Sequence, residues 1–266
     1  MRSVWGWLLF GSFGSACGVT PYVAPDGGGA VAPPSCFGNN DGQIARDEVQ
    51  FPLGIVVKYL VDDGSVAVAP AGTDDHGTRV WDLRAAAGST IKLELAQPSG
   101  WSAGEFPGAA YVTTADIPSG LMGAFSTSDD ALLVYGFYSP QEESTLLVYD
   151  HPIALVHFPI RLGFTQAQQG TVTNGKLNGV PVSTVDTYEV SVDRSGVMLL
   201  PYLRLENVLR VRTNLNQQLV GGIVQRRIQY SFFHECFGEV ARMTSLPNEA
   251  NPDFQQAAEL RVLVGP

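Results

Sequence analysis

Apolar and polar residues alternate with period two along several stretches of the chain. Ile91, Leu93 and Leu95 alternate with Lys92 and Glu94; Tyr188, Val190 and Val192 with Glu189 and Ser191; Ile228, Tyr230 and Phe232 with Arg227, Gln229 and Ser231. This period puts successive side chains on opposite faces of a strand, and one apolar face against one wet face marks an antiparallel sheet. Residues 131–138, 145–149 and 153–162 are apolar on both faces, as a central layer is. Asn174-Gly175 and Asn178-Gly179 predict tight hairpin turns, because both residue types tolerate positive φ. Only 44–49 and 252–258, the second capped by Asn251, read as helical turns. The chain has no internal repeat. The pattern predicts a mainly β protein with few short helices. Residues 36–266 form a single antiparallel domain, built as a curved sheet or half-barrel or as a β-sandwich.

Composition agrees with that reading, since Gly, Pro and β-branched residues are plentiful and long runs of helix formers are scarce. The formal net charge of -10 argues against nucleic acid, or an anionic lipid surface, as the main partner. Both reward clustered Lys and Arg.

The N-terminus narrows the address. Met1-Arg2 is a short positive region, Val4 to Phe10 an apolar run too short to span a bilayer, and Gly14-Ser15-Ala16 a small-residue cleavage site before Cys17. The segment resembles the signal peptide and lipobox of bacterial lipoproteins, with Ser15-Ala16-Cys17 as the matching residues. Gly14 departs from the Leu usual in that family. The resemblance implies that 1–16 is a signal peptide and that Cys17 begins the mature chain with a thioether diacylglycerol and an acylated amine. Gly18, rather than Asp, implies sorting to the outer membrane, on its periplasmic or cell-surface face. Plain secretion is the alternative. Residues 17–35 then read as the lipidated Cys and a flexible tether, because Pro21, Pro25, Pro33, Pro34 and Gly27-Gly28-Gly29 leave nothing periodic to bury. Such a tether has a root-mean-square span of roughly 25 Å.

Part of the domain resembles a region of secreted bacterial proteins of unknown function. It is carried by Gly196 to Pro201, Asn207 to Thr213, Tyr230 to Phe233 and Phe237 to Arg242, with His157 to Gly163 opening the unit. That likeness implies an extracytoplasmic β domain and supplies no activity.

Candidate chemistry is sparse. Asn39, Asp41, Gln43 and Glu48 around Gly42 resemble part of an EF-hand or dockerin-type calcium loop, since a hard cation wants several converging oxygens and a closing carboxylate. Phe37 stands where the first ligand belongs, so only weak calcium binding is expected and no other cofactor. Gly170 to Lys176 has phosphate-loop spacing, but Leu177 replaces the Ser or Thr that binds magnesium. His234-Glu235 lacks the second histidine of a zinc protease, with Gly238 in its place. Asp74-Asp75-His76, Asp129-Asp130 and Glu142-Glu143 read as solvated turns. Of three cysteines, lipidation of Cys17 leaves Cys36 and Cys236 as an even pair in an oxidising compartment, and a disulfide between them is expected.

Three functional readings follow. The first is a non-enzymatic structural, adhesive or binding module on the outer membrane, recognising a protein, a glycan or an apolar ligand. The second is a carrier of an apolar ligand in a half-barrel cavity. The third is a secreted hydrolase acting on sugars or peptides. Cys17→Ser is expected to move the protein from the membrane fraction to the soluble one, because each buried acyl methylene contributes about 0.8 kcal/mol. Unchanged fractionation, or a mature protein without acyl groups by mass spectrometry, contradicts the anchor.

Overall fold

The computed structural model describes residues 19–21, 38–49, 53–142, 144–219 and 221–265. The expected signal peptide, Cys17, Cys36 and most of the expected tether lie outside the described residues. In chain order the strands are β1 (Val19–Pro21), β2 (Gln43–Ile44), β3 (Val56–Asp62), β4 (Val66–Ala67), β5 (Thr73–Asp75) and β6 (Thr78–Asp82). They continue with β7 (Ser89–Glu94), β8 (Tyr111–Asp116), β9 (Leu121–Thr127), β10 (Ala131–Tyr138), β11 (Leu146–His157) and β12 (Ile160–Arg161). The last six are β13 (Thr165–Leu177), β14 (Val180–Leu199), β15 (Leu203–Leu219), β16 (Val224–His234), β17 (Gly238–Ser245) and β18 (Gln256–Gly265). The protein is mainly β, as the alternation predicts.

One large sheet has the path β7-β3-β18-β17-β16-β15-β14-β13-β11-β10-β9-β8, while β2 and β12 pair separately. Successive strands along the path are antiparallel. The two end strands meet beyond β7 at a single antiparallel bridge, Ala96 with Val112, whose N–H···O distances are 3.0 and 2.8 Å. The curved sheet is thereby nearly a closed barrel. Bulges bend its wall. At Gly136, where the register shifts against both neighbours, φ is +154° and a Cβ would overlap the Leu147 carbonyl. Only glycine fits there.

Local expectations meet mixed outcomes. Asn178-Gly179 turns β13 into β14 with φ of 50° and 78°. Asn174-Gly175, expected as a second hairpin turn, instead makes a bulge inside β13, where the register against β14 shifts between Val172 and Gly175. The helical turn expected over 44–49 reduces to the 3-10 turn Arg46–Glu48. The one expected over 252–258 is replaced by a short turn and the start of β18: Asp253 N–H donates to Asn251 Oδ1 at 2.9 Å, then Ala257 pairs with Val66. Pairing on both sides of that segment overrides its local preference. Within the stretch expected as tether, the backbone of Val19–Pro21 pairs with Leu203 to Leu205.

The faces are assigned unevenly. On β7 and β14 the apolar rows point into the barrel. On β16 the assignment is reversed: Ile228, Tyr230 and Phe232 face outward, whereas Arg227, Gln229, Ser231 and Phe233 line the interior. A second layer explains this. Strand β6 runs parallel to the end of β14, and its Trp81 meets Phe232 edge-on at 5.0 Å while donating through Nε1 to the Pro70 carbonyl at 2.9 Å. Arg210, 2% exposed, holds the same carbonyl, pairs with both Asp193 oxygens at 2.9 and 2.7 Å, and lies over the Tyr230 ring. Removing an aromatic side chain from such a cluster costs about 3–5 kcal/mol. The outer wall of β15–β18 is therefore a core, which frees its inner wall to be polar.

Residues 38–49 lie against the turn between β16 and β17. Asn40 N–H donates to Glu235 Oε2 at 3.1 Å, Cys236 N–H donates to the Glu48 carbonyl at 2.7 Å, and Val49 lies beside Gly238. The sequence position of Cys36, just before this docked segment, supports its pairing with Cys236. Closing a loop of about 200 residues disfavours the unfolded chain by roughly 5 kcal/mol in the chain-entropy model. Non-reducing peptide mapping is expected to recover a Cys36–Cys236 cross-linked peptide, and free thiols at both positions would falsify the pairing.

Candidate functional site

The expected calcium residues divide between two settings. Gly42 takes the sharp turn with φ of 83°. Asp41 N–H donates to Asn39 Oδ1 and Gln43 N–H to Asp41 Oδ1, each at 2.8 Å, so Asn39, Asp41 and Gln43 share one exposed turn. Glu48 is instead buried, its Oε2 accepting the Ala45 N–H at 2.7 Å. Among the described residues no three His, Cys, Asp or Glu side chains gather as a metal site. Asp74-Asp75-His76 forms an exposed hairpin between β5 and β6. His234 and Glu235 are both buried beside the 38–49 segment, and burial pushes the His234 pKa down to about 4.

The site that the fold builds is the barrel interior. Inward-facing residues from the strands enclose a cavity of about 530 Å³. Strand alternation places them: Val57 and Tyr59 from β3, Val211, Thr213, Leu215 and Gln217 from β15, each two positions after the last. Leu93, Leu95, Phe125, Leu132, Phe137 and Leu155 give it a long apolar wall. Two polar groups interrupt that wall.

The first is an ionic cluster on β16–β18. Arg242 forks onto both Glu239 oxygens at 2.8 and 2.7 Å and donates through Nη1 to the Ala115 carbonyl at 3.1 Å. Arg261 donates twice to Glu259 Oε1 at 3.1 and 2.8 Å, and Glu259 Oε2 accepts the Ile117 N–H at 3.1 Å. Arg227 reaches Asp116 at 3.4 Å. Burial alone would raise the Glu239 pKa, yet the charge and hydrogen bonds of Arg242, with Arg261 and Ser231, hold it below the ordinary value. The Arg242 pKa is raised in turn, because Glu239 outweighs its own burial.

Compared with protein-family models, curated proteins and solved structures, the chain has no match. Its own geometry is the guide to what the cavity does.

The second polar group is Asp186 on β14 with Tyr149, Tyr188 and Gln217. Tyr149 Oη lies 2.7 Å from Asp186 Oδ2 and 2.8 Å from Tyr188 Oη, and Gln217 Nε2 lies 3.2 Å from the same Oδ2. Burial raises the pKa values of Asp186 and of both tyrosines. Neither polar group figured among the expected site residues. A signal for Asp186 was present: stepping back by two from Val192, Val190 and Tyr188 reaches 186, an acid in phase with the buried row.

The ionic cluster generates a stability prediction. Arg242→Met removes the fork that holds both Glu239 oxygens and leaves that side chain, 18% exposed, with only Arg261 and Ser231; it is expected to cost about 3 kcal/mol at neutral pH. Because the native Glu239 pKa is lowered, the pair stabilises the fold above the ordinary glutamate value of 4.5 and loses that effect as pH falls through the native value. The deficit should therefore shrink in acid and in the double variant with Glu239→Gln. Chemical denaturation at neutral pH and near pH 4 measures it; a change below about 1 kcal/mol at neutral pH would refute the assignment.

Proposed function

We propose that the protein is an extracytoplasmic binding protein that holds one largely apolar small molecule inside its barrel and is tethered to the outer membrane by lipid on Cys17. The observation that carries this reading is the cavity of about 530 Å³ with its Leu and Phe wall. Ligand sites are concave, mostly apolar, roughly 300–1,000 Å³ in volume, and carry a few placed polar groups. A barrel of about eight strands is filled by side chains or holds one small ligand, and space grows with strand number. A purely structural or adhesive module has no use for such space. Hydrolysis has less support, since Glu239, which lines the cavity on β17, and Glu259 beside it on β18 are engaged by arginines. Calcium enters this reading only as a weak brace of the 39–48 turn, with affinity on the order of 0.1–1 mM.

N-phenyl-1-naphthylamine, a small probe that brightens in apolar surroundings, is expected to bind saturably at one site. Leu132→Trp combined with Leu155→Trp fills the wall and should abolish the saturable signal while circular dichroism stays that of the wild type. A linear, non-saturating signal, or one unchanged in the folded double variant, rejects the interior as a ligand site.

A further inference from the structure

Asp186 differs from the other cavity acids in what it lacks. It is 1% exposed, lines the cavity, and forms no salt bridge among the described residues. The hydrogen bonds from Tyr149 and Gln217 both fall on Oδ2, and the nearby Thr184 hydroxyl is the one other neutral donor that favours the charged carboxylate. Tyr149 has a single hydroxyl proton, which it donates to Asp186 Oδ2; Tyr188 must then donate its own to Tyr149. Gln217 adds a second donor to Oδ2. Oδ1 is buried without a hydrogen-bond partner.

A buried carboxylate oxygen without a donor is costly, and a carboxylate without a counter-charge in apolar surroundings more so. The two costs select the missing partner. A neutral hydroxyl would satisfy Oδ1 and leave the charge; an ammonium group satisfies both. Tyr188, as donor to Tyr149, keeps its lone pairs for a further N–H. The arginines around the cavity offer no matching place for an anion, because Arg242, Arg261 and Arg227 each face an acid of their own, and the fourth lining arginine, Arg226, is exposed to solvent. The overall charge of -10 also draws cations towards the protein.

Resting on the proposed binding function, we infer that the natural occupant is an amphiphile with a protonated amine, seated on Asp186 Oδ1 with its apolar body along the Leu and Phe wall. Displacement of N-phenyl-1-naphthylamine from the full chain at neutral pH tests this with dodecylamine, dodecanol, dodecanoate and dodecyltrimethylammonium. Dodecylamine is expected to displace the probe at concentrations about tenfold below dodecanol, with dodecanoate weakest. Dodecyltrimethylammonium, charged but without an N–H, should fall well behind dodecylamine. In Asp186→Asn the advantage of the amine over dodecanol should disappear. The wild-type series decides even if that variant does not fold. Equal displacement by amine and alcohol overturns the inference, as does an advantage that survives Asp186→Asn, or a trimethylammonium as effective as the amine. None of those results touches the binding function, which fails only if the probe finds no saturable site at all.

Discussion

Closure of the sheet is the constraint on which this structure turns. Strands β7 and β8 lie at the two ends of the sheet path and share only the Ala96–Val112 bridge. Past Val112, β8 leaves β7 and reaches the opposite wall through side chains: Arg242 holds the Ala115 carbonyl, Glu259 the Ile117 N–H, and Arg227 pairs with Asp116. Each contact meets an end of β8 that has no backbone partner from β7. Buried ion pairs of this kind add little net stability over apolar packing, but losing one partner is costly. They select one closure over its neighbours, because a shifted β8 would strand charges inside the barrel.

Putting ions inside requires an apolar core elsewhere. The outer face of β15–β18 supplies it, covered by β6 and the loops around Pro70 and Phe254. Trp81 and Arg210 both hold the Pro70 carbonyl, so the covering loop is pinned by hydrogen bonds as well as by packing. The wall opposite, from β9 to β11, is largely apolar towards the cavity, with Phe125, Phe137 and Leu147 in its row. One barrel thus has two kinds of wall, and the cavity between them is apolar on one side and polar on the other.

The alternation made the strands and their antiparallel character legible, because a period of two is a property of neighbouring residues alone. For the same reason Asn178-Gly179 was readable as the turn from β13 to β14. The reversal of β16 was not. Its apolar row was correctly found, but which side of the sheet carries the core depends on Trp81 and Phe254, far away in sequence. Asn174-Gly175 has the chemistry of a turn, and becomes a bulge because the true turn lies four residues later. The polar sites are harder still: Arg242 meets Ala115, and Tyr149 meets Asp186, only after closure. The residues singled out around 39–48 were legible because calcium loops are contiguous. That bias towards contiguous motifs is why the polar groups of the cavity went unread.

The Asp186 group also has a definite place relative to the point where β1 joins the sheet. Strand β1 joins β15 at Leu203 to Leu205, whereas Asp186 stands opposite Gln217 near the other end of β15. At about 3.3 Å per residue, that is at most roughly 45 Å of strand. With Cys17 lipidated as proposed, the chain enters the domain only two residues before β1, so the Asp186 end of the barrel is the end remote from that entry point. A polar head held by Asp186 would then lie at the end of the barrel away from β1.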